Sequence, residues 1–309
     1  MRAVFSKTLV TIAQSDPKVL LLTGDHGYAL FDQFRKVCPS QYINAGIAEQ
    51  NMVGMAAGLA RSGFRPFVYG LSAFIPIRVL EQIKLDVAHD QLPVIFLGDG
   101  AGFVYSHLGT SHQSTEDIAC ARSIPHLSVY SPADRFEMKH CLELAYDSRS
   151  TVYLRMGKAD RGDVHDTLPL MRVGQLVPLR PKTGGKVAFI CTGSMAKTGV
   201  VIAAKNYTQA GVWSAPFIKP IDTKQVAEIC SQSENVVVLE EHSIFGGLGS
   251  VVAEIASQYS PTRVLRVGVN DRFSSRCGSY EYLLKEHGLD QASIEQTIQQ
   301  FISSGAPTC

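Results

Sequence analysis

Short runs of β-branched and leucine residues alternate with helical periods along this chain, and that alternation limits the fold more than any other feature. Residues 19–22, 66–69, 94–97, 127–130 and 152–154 read as buried parallel strands. Helical stretches lie between them, near 2–14, 47–62, 74–89 and 133–147. The pattern predicts a parallel sheet with helices on both faces, and function gathered at the carboxyl ends of its strands. A stretch from about Gly157 to Gly185, rich in Gly, Asp, Pro, Lys and Arg, interrupts it as a linker would. A second α/β unit follows, with strands at 187–191, 212–216, 236–239 and 264–267 and a C-terminal helix near 291–302.

Composition narrows the function classes. The 309 residues suffice for two α/β domains, each with its own core. Twenty-nine basic against 28 acidic residues leave a net charge of +1 without any Lys/Arg block, which argues against nucleic acid or an anionic membrane as main partner. No apolar run reaches the roughly eighteen residues a membrane span needs, and no apolar segment follows Arg2 as in a secretory signal. Seven scattered cysteines (38, 120, 141, 191, 230, 277 and 309) form no CxxC pair and read as reduced thiols of a cytoplasmic protein.

The most specific stretch is Asn44-Ala45-Gly46-Ile47-Ala48-Glu49-Gln50-Asn51-Met52. It places Glu49 at the mouth of a helix of small residues, and glycines at 46, 54 and 58 let another backbone or a flat ligand come close. A helix dipole favours an acid in the first turn, which explains Glu49 but not the run around it. Further pieces follow in order: Gly63-Phe64-Arg65-Pro66-Phe67, Ser72-Ala73-Phe74, Glu81-Gln82-Ile83, Gly98-Asp99-Gly100, Gly109-Thr110-Ser111-His112-Gln113, Ser131-Pro132-Ala133-Asp134 and Tyr153-Leu154-Arg155. Glu240-Glu241-His242 and Gly246-Gly247-Leu248-Gly249 mark the second unit. The glycine run opens a helix and could hold an anion there, or serve tight packing.

In this order the pieces resemble the pyrimidine-binding and C-terminal domains of the transketolase and 1-deoxyxylulose-5-phosphate synthase family, over nearly the whole chain. The resemblance implies a two-domain α/β fold: a thiamine diphosphate pyrimidine-binding domain at 1–160, a linker at 161–184 and a transketolase C-terminal domain at 185–309. It implies that Glu49 hydrogen-bonds the cofactor's pyrimidine ring nitrogen and drives the tautomer shift by which the cofactor removes its own C2 proton. Phe74 would wall the aminopyrimidine, with core packing as the other reading. Ile77 and Leu80 stand where relatives carry further aromatics. His112 would hydrogen-bond donor oxygens near the reacting carbon, a task that imidazole suits near neutral pH. Arg155 would hold a substrate phosphate or carboxylate, or else form an inter-domain ion pair. Leu108 replaces a family acid that contacts donor hydroxyls, and Gly98 replaces a strand-end His, so a less hydroxylated donor such as a 2-oxo acid would suit this chain.

Relatives bind the Mg-diphosphate through a GDG followed by paired asparagines. The five asparagines here (44, 51, 206, 235 and 270) are unpaired, so Gly98-Asp99-Gly100 reads as a turn into the His112 loop. The expected enzyme is therefore a thiamine diphosphate- and Mg²⁺-dependent transferase whose diphosphate and metal are held by an N-terminal partner subunit, in a dimer of heterodimers acting on sugars or sugar phosphates. The alternatives are the β subunit of a 2-oxoacid dehydrogenase and a non-catalytic assembly subunit.

Overall fold

The computed structural model describes residues 1–157 and 161–304. The domain limits drawn at 160 and 309, and Cys309, lie outside the described residues. The first sheet is built from β1 (Val19–Thr23), β2 (Tyr42–Asn44), β3 (Arg65–Leu71), β4 (Ile95–Asp99), β5 (Leu127–Tyr130) and β6 (Thr151–Met156). All their mutual pairings are parallel. Every residue of β1, β4 and β6 is buried, as strands covered on both faces require.

Helices supply that cover. On one face α1 (Arg2–Ser15), α2 (Asp32–Val37) and α6 (Arg135–Asp147) bring Phe5, Leu9, Phe34 and Leu142 against Phe67 and Tyr69. On the other, α3 (Glu49–Arg61) lays Met52, Val53, Ala56, Ala57 and Ala60 against Val68 and Phe96, at the three- and four-residue spacing of a helix face. The stretch expected as one helix at 74–89 is a 3₁₀ turn (Ile77–Val79), then α4 (Leu80–Gln82), then a π-helical turn (Ile83–Ala88). Between β4 and β5 lies the short α5 (Asp117–Arg122).

The second sheet has the order β12-β11-β8-β9-β7, from β7 (Val177–Arg180), β8 (Val187–Cys191), β9 (Gly211–Ser214), β11 (Asn235–Ser243) and β12 (Arg263–Val269). Helices α7 (Met195–Asn206), α8 (Thr223–Ser231), α9 (Leu248–Tyr259), α10 (Tyr280–Glu286) and α11 (Gln291–Ser303) pack around it. Two features depart from the sequence reading. The segment expected as linker carries β7, an antiparallel edge strand that tolerates Pro178 at its rim. Past β9, β10 (Phe217–Lys219) crosses over and pairs antiparallel with β5, closing the edge of the first sheet, which then reads β10-β5-β6-β4-β3-β1-β2. Lys219 Nζ fastens it by donating to Arg122 O and Ile124 O. Among the described residues no helix is long and apolar enough to cross a membrane.

Candidate active site

Three loops leave the carboxyl ends of β2, β3 and β4 and bring together residues far apart in the chain. Glu49 opens α3, whose N-cap residue Ala48 supplies no side-chain bond, so the carboxylate sits where the first-turn N–H groups are unsatisfied. It is 5% exposed. Its Oε2 lies 3.2 Å from Arg78 Nη1. The Arg78 guanidinium also covers the Phe74 ring at 3.9 Å from its centroid. Phe74 in turn meets the His112 ring edge-on, with centroids 5.3 Å apart. The His112 imidazole is oriented by its own loop, through Nδ1 to Ser111 Oγ at 2.9 Å. Glu49, Arg78, Phe74 and His112 thus form one contiguous row. Arg78 escaped the sequence reading because a half-exposed arginine in a helical stretch has no periodic signature.

The remaining expected residues fall around this row unevenly. Ile77 and Leu80 are half-buried on the segment that carries Phe74 and Arg78. Leu108 lies in the 3₁₀ turn Ser106–Leu108 and is 56% exposed. Position 98 has no room for a side chain, since a Cβ there would overlap Tyr153 Oη. Asp99 is buried and fully engaged: it pairs with Arg2 and accepts from Tyr69 Oη at 2.7 Å and Tyr105 Oη at 3.0 Å. A carboxylate so occupied is a structural clamp between α1 and the strand ends.

Arg155, expected either to hold a substrate anion or to form an inter-domain ion pair, is engaged by the protein's own groups. Its guanidinium is 3% exposed, with Nε on Asp117 Oδ2 at 2.7 Å and Nη2 on Glu241 O at 2.9 Å. Tyr153 Oη donates to the same Asp117 oxygen at 2.7 Å. The buried Arg155–Asp117 pair lies within the first domain, and the bond from Arg155 Nη2 to Glu241 O ties it to the second.

The Glu240-Glu241-His242 run is the other half of that tie. Glu240 accepts from Leu248 N at 2.7 Å and Gly249 N at 2.8 Å, so the acceptor at the N-terminus of α9 is this chain's own carboxyl group. Glu241 accepts from Phe103 N at 2.7 Å and from the hydroxyls of Ser194 and Tyr280. Gly102 faces it at φ +66°, where a Cβ would overlap Glu241 Oε1; both the backbone and the space demand glycine. His242 is fully buried, donates from Nδ1 to Ser243 O at 2.8 Å and accepts at Nε2 from Ala119 N at 3.3 Å. Burial pushes its pKa down to about 4, which keeps the ring neutral for that pair of bonds.

These features define a two-domain α/β protein with a buried acid, an aromatic face and an imidazole at the strand ends of its first sheet. The chain belongs to the transketolase family. Residues 1–162 match the family model for the transketolase pyrimidine binding domain, and 176–294 match that for the transketolase C-terminal domain. The chain is 33% identical over 310 residues to one of the apulose-4-phosphate transketolase subunits of Phocaeicola vulgatus, with 97% of each covered. It is 34% identical over 303 residues to 1-deoxy-D-xylulose-5-phosphate synthase of Pasteurella multocida, covering 97% of this chain and 48% of that one. Among solved structures it is similar to a split-gene transketolase in an inactive β4 tetramer, with a TM-score of 0.88, 32% identity and 97% of both chains covered.

Proposed function

We propose that this chain is the C-terminal subunit of a two-component, thiamine diphosphate-dependent transketolase, acting with a diphosphate-binding partner in a cytoplasmic dimer of heterodimers. The observation that carries the proposal is the buried Glu49 carboxylate at the mouth of α3, in one row with Phe74 and His112. These groups fit the pyrimidine end of the cofactor: an acid for a ring nitrogen, an aromatic face, and Ile77 and Leu80 as apolar wall. They do not fit its charged end. Asp99 is spent on Arg2 and two tyrosines. The proposal assigns diphosphate and Mg²⁺ to the partner.

When bound, thiamine diphosphate supplies the carbon nucleophile that carries the transferred two-carbon unit. Glu49 must turn from Arg78, which its Oε2 meets at 3.2 Å, to reach the pyrimidine nitrogen. His112, with Nδ1 on Ser111, keeps Nε2 for the oxygens of the donor. Similarity to an apulose-4-phosphate transketolase subunit supports ketol transfer over the 2-oxoacid dehydrogenase alternative.

A second reading, acyl transfer from a 2-oxo acid, draws on position 98, where Tyr153 fills the space of a polar side chain, and on the apolar Leu108. Assays of the reconstituted pair with xylulose 5-phosphate and with pyruvate separate the two. Turnover of the ketose phosphate alone supports ketol transfer, and turnover of pyruvate alone overturns it.

A further inference from the structure

The loop that carries His112 leaves β4 and is roofed by residues 272–287 of the second domain. Phe103 stacks on the His287 ring with centroids 4.8 Å apart and planes at 24°. A side chain at Gly109, which has φ +79°, would stand 3.2 Å from Cys277 Sγ. Within the loop, His112 is bonded to Ser111 Oγ and Gly109 O, both local. The next residue, Gln113, is where the loop is tied to the other domain. Ser274 Oγ donates to Gln113 Oε1 at 2.7 Å, and with its proton so used it accepts from His287 Nε2 at 2.9 Å. That assigns the Nε2–H tautomer to His287.

Gln113 is 6% and His287 5% exposed, and Ser274 between them is half-buried. Two atoms along this link, Gln113 Nε2 and His287 Nδ1, are buried without a protein partner. Both residues line a cavity of about 20 Å³ between the domains, beside Thr115, Val269 and Arg272. That is room for one water molecule. With Gln113 Oε1 on Ser274 Oγ, the bonds run in one direction, from His287 through Ser274 to the loop.

We propose that His287 is a positioning residue of the active site: through Ser274 and Gln113 it fixes the backbone of the His112 loop, so that the second domain sets the place of the imidazole. The proposal rests on the reading of His112 as the group that meets the donor. A displacement of about 1 Å in a catalytic group can cost on the order of 10² in rate.

The test uses the enzyme reconstituted with its diphosphate-binding partner, assayed with xylulose 5-phosphate and an aldose phosphate. Ser274→Ala and His287→Ala lower kcat about tenfold or more, with the donor KM and the unfolding temperature little changed. His287→Gln, whose amide can replace the Nε2–H donor, recovers most of kcat, whereas the shorter His287→Asn does not. A kcat within twofold of wild type in Ser274→Ala, or equal rates for the Gln and Asn variants, overturns the proposal. His112→Ala serves as control. If it alone is inactive while Ser274→Ala is fully active, only the relay fails; if His112→Ala is fully active, the assignment of His112 fails and the relay with it.

Discussion

At Glu49, burial and charge work against each other. A carboxylate 5% exposed is costly unless it is paired, and here the α3 dipole and Arg78 supply the compensation. Glu49→Gln keeps the shape but cannot protonate a pyrimidine nitrogen. We expect deuterium exchange at the cofactor's C2 in the reconstituted complex to slow by about 10² to 10⁴, with assembly unchanged. Unchanged exchange would return Glu49 to a helix-start residue. Arg78 competes for the same carboxylate from a half-exposed position, where an ion pair contributes up to about 1 kcal/mol. Arg78→Ala should therefore tighten thiamine diphosphate binding by up to roughly fivefold, read by calorimetry on the complex. Weaker binding would make Arg78 a cofactor contact. Short motifs made Glu49, Phe74 and His112 legible in the sequence. Leu154-Arg155 was not, because the same two letters spell an anion holder or a buried tie, and only the fold puts Asp117 beneath the guanidinium.

Among the elements, β11 and the start of α9 act as a clasp in which Glu240 and His242 are fully buried. His242 must stay neutral there. Its folded pKa, about 4, lies below its ordinary value of 6.5, so between those values the unfolded chain binds the extra proton. Its contribution is complete above about pH 6.5 and is lost as pH falls toward 4, at up to about 1.4 kcal/mol per pH unit. Glu240 works the other way: burial raises it from 4.5 to about 7, so its contribution is complete below 4.5 and is lost as pH rises toward 7. The readout is therefore the difference between wild type and His242→Asn, which keeps an amide donor for Ser243 O. Chemical unfolding from pH 7 to 4.5 should show the variant losing less stability than wild type as pH falls; parallel curves would mean that His242 is not held neutral. Buried all-apolar strands such as β1, β4, β8 and the core of β11 were readable from their runs. β2 and β10 were not, since each has three residues, and β10 gains its place only by crossing to the other sheet. The π turn at Ile83–Ala88 shares its apolar spacing with an ordinary helix and so was invisible as well.

On the scale of the whole molecule, β10, the Arg155 bond to Glu241 O and the Phe103 bond to the Glu241 carboxylate join the two domains, so the His112 loop is held from both. Asp99 is buried in a clamp within the first domain, held by Arg2, Tyr69 and Tyr105. We propose that this chain supplies the pyrimidine half of a cofactor site and its partner the diphosphate half. Calorimetric titration of thiamine diphosphate with Mg²⁺ into the chain alone, and into the chain with its diphosphate-binding partner, tests that claim directly. The account predicts little or no heat from the chain alone and saturable, Mg²⁺-dependent binding once the partner is present. Tight Mg²⁺-dependent binding by the chain alone would contradict it.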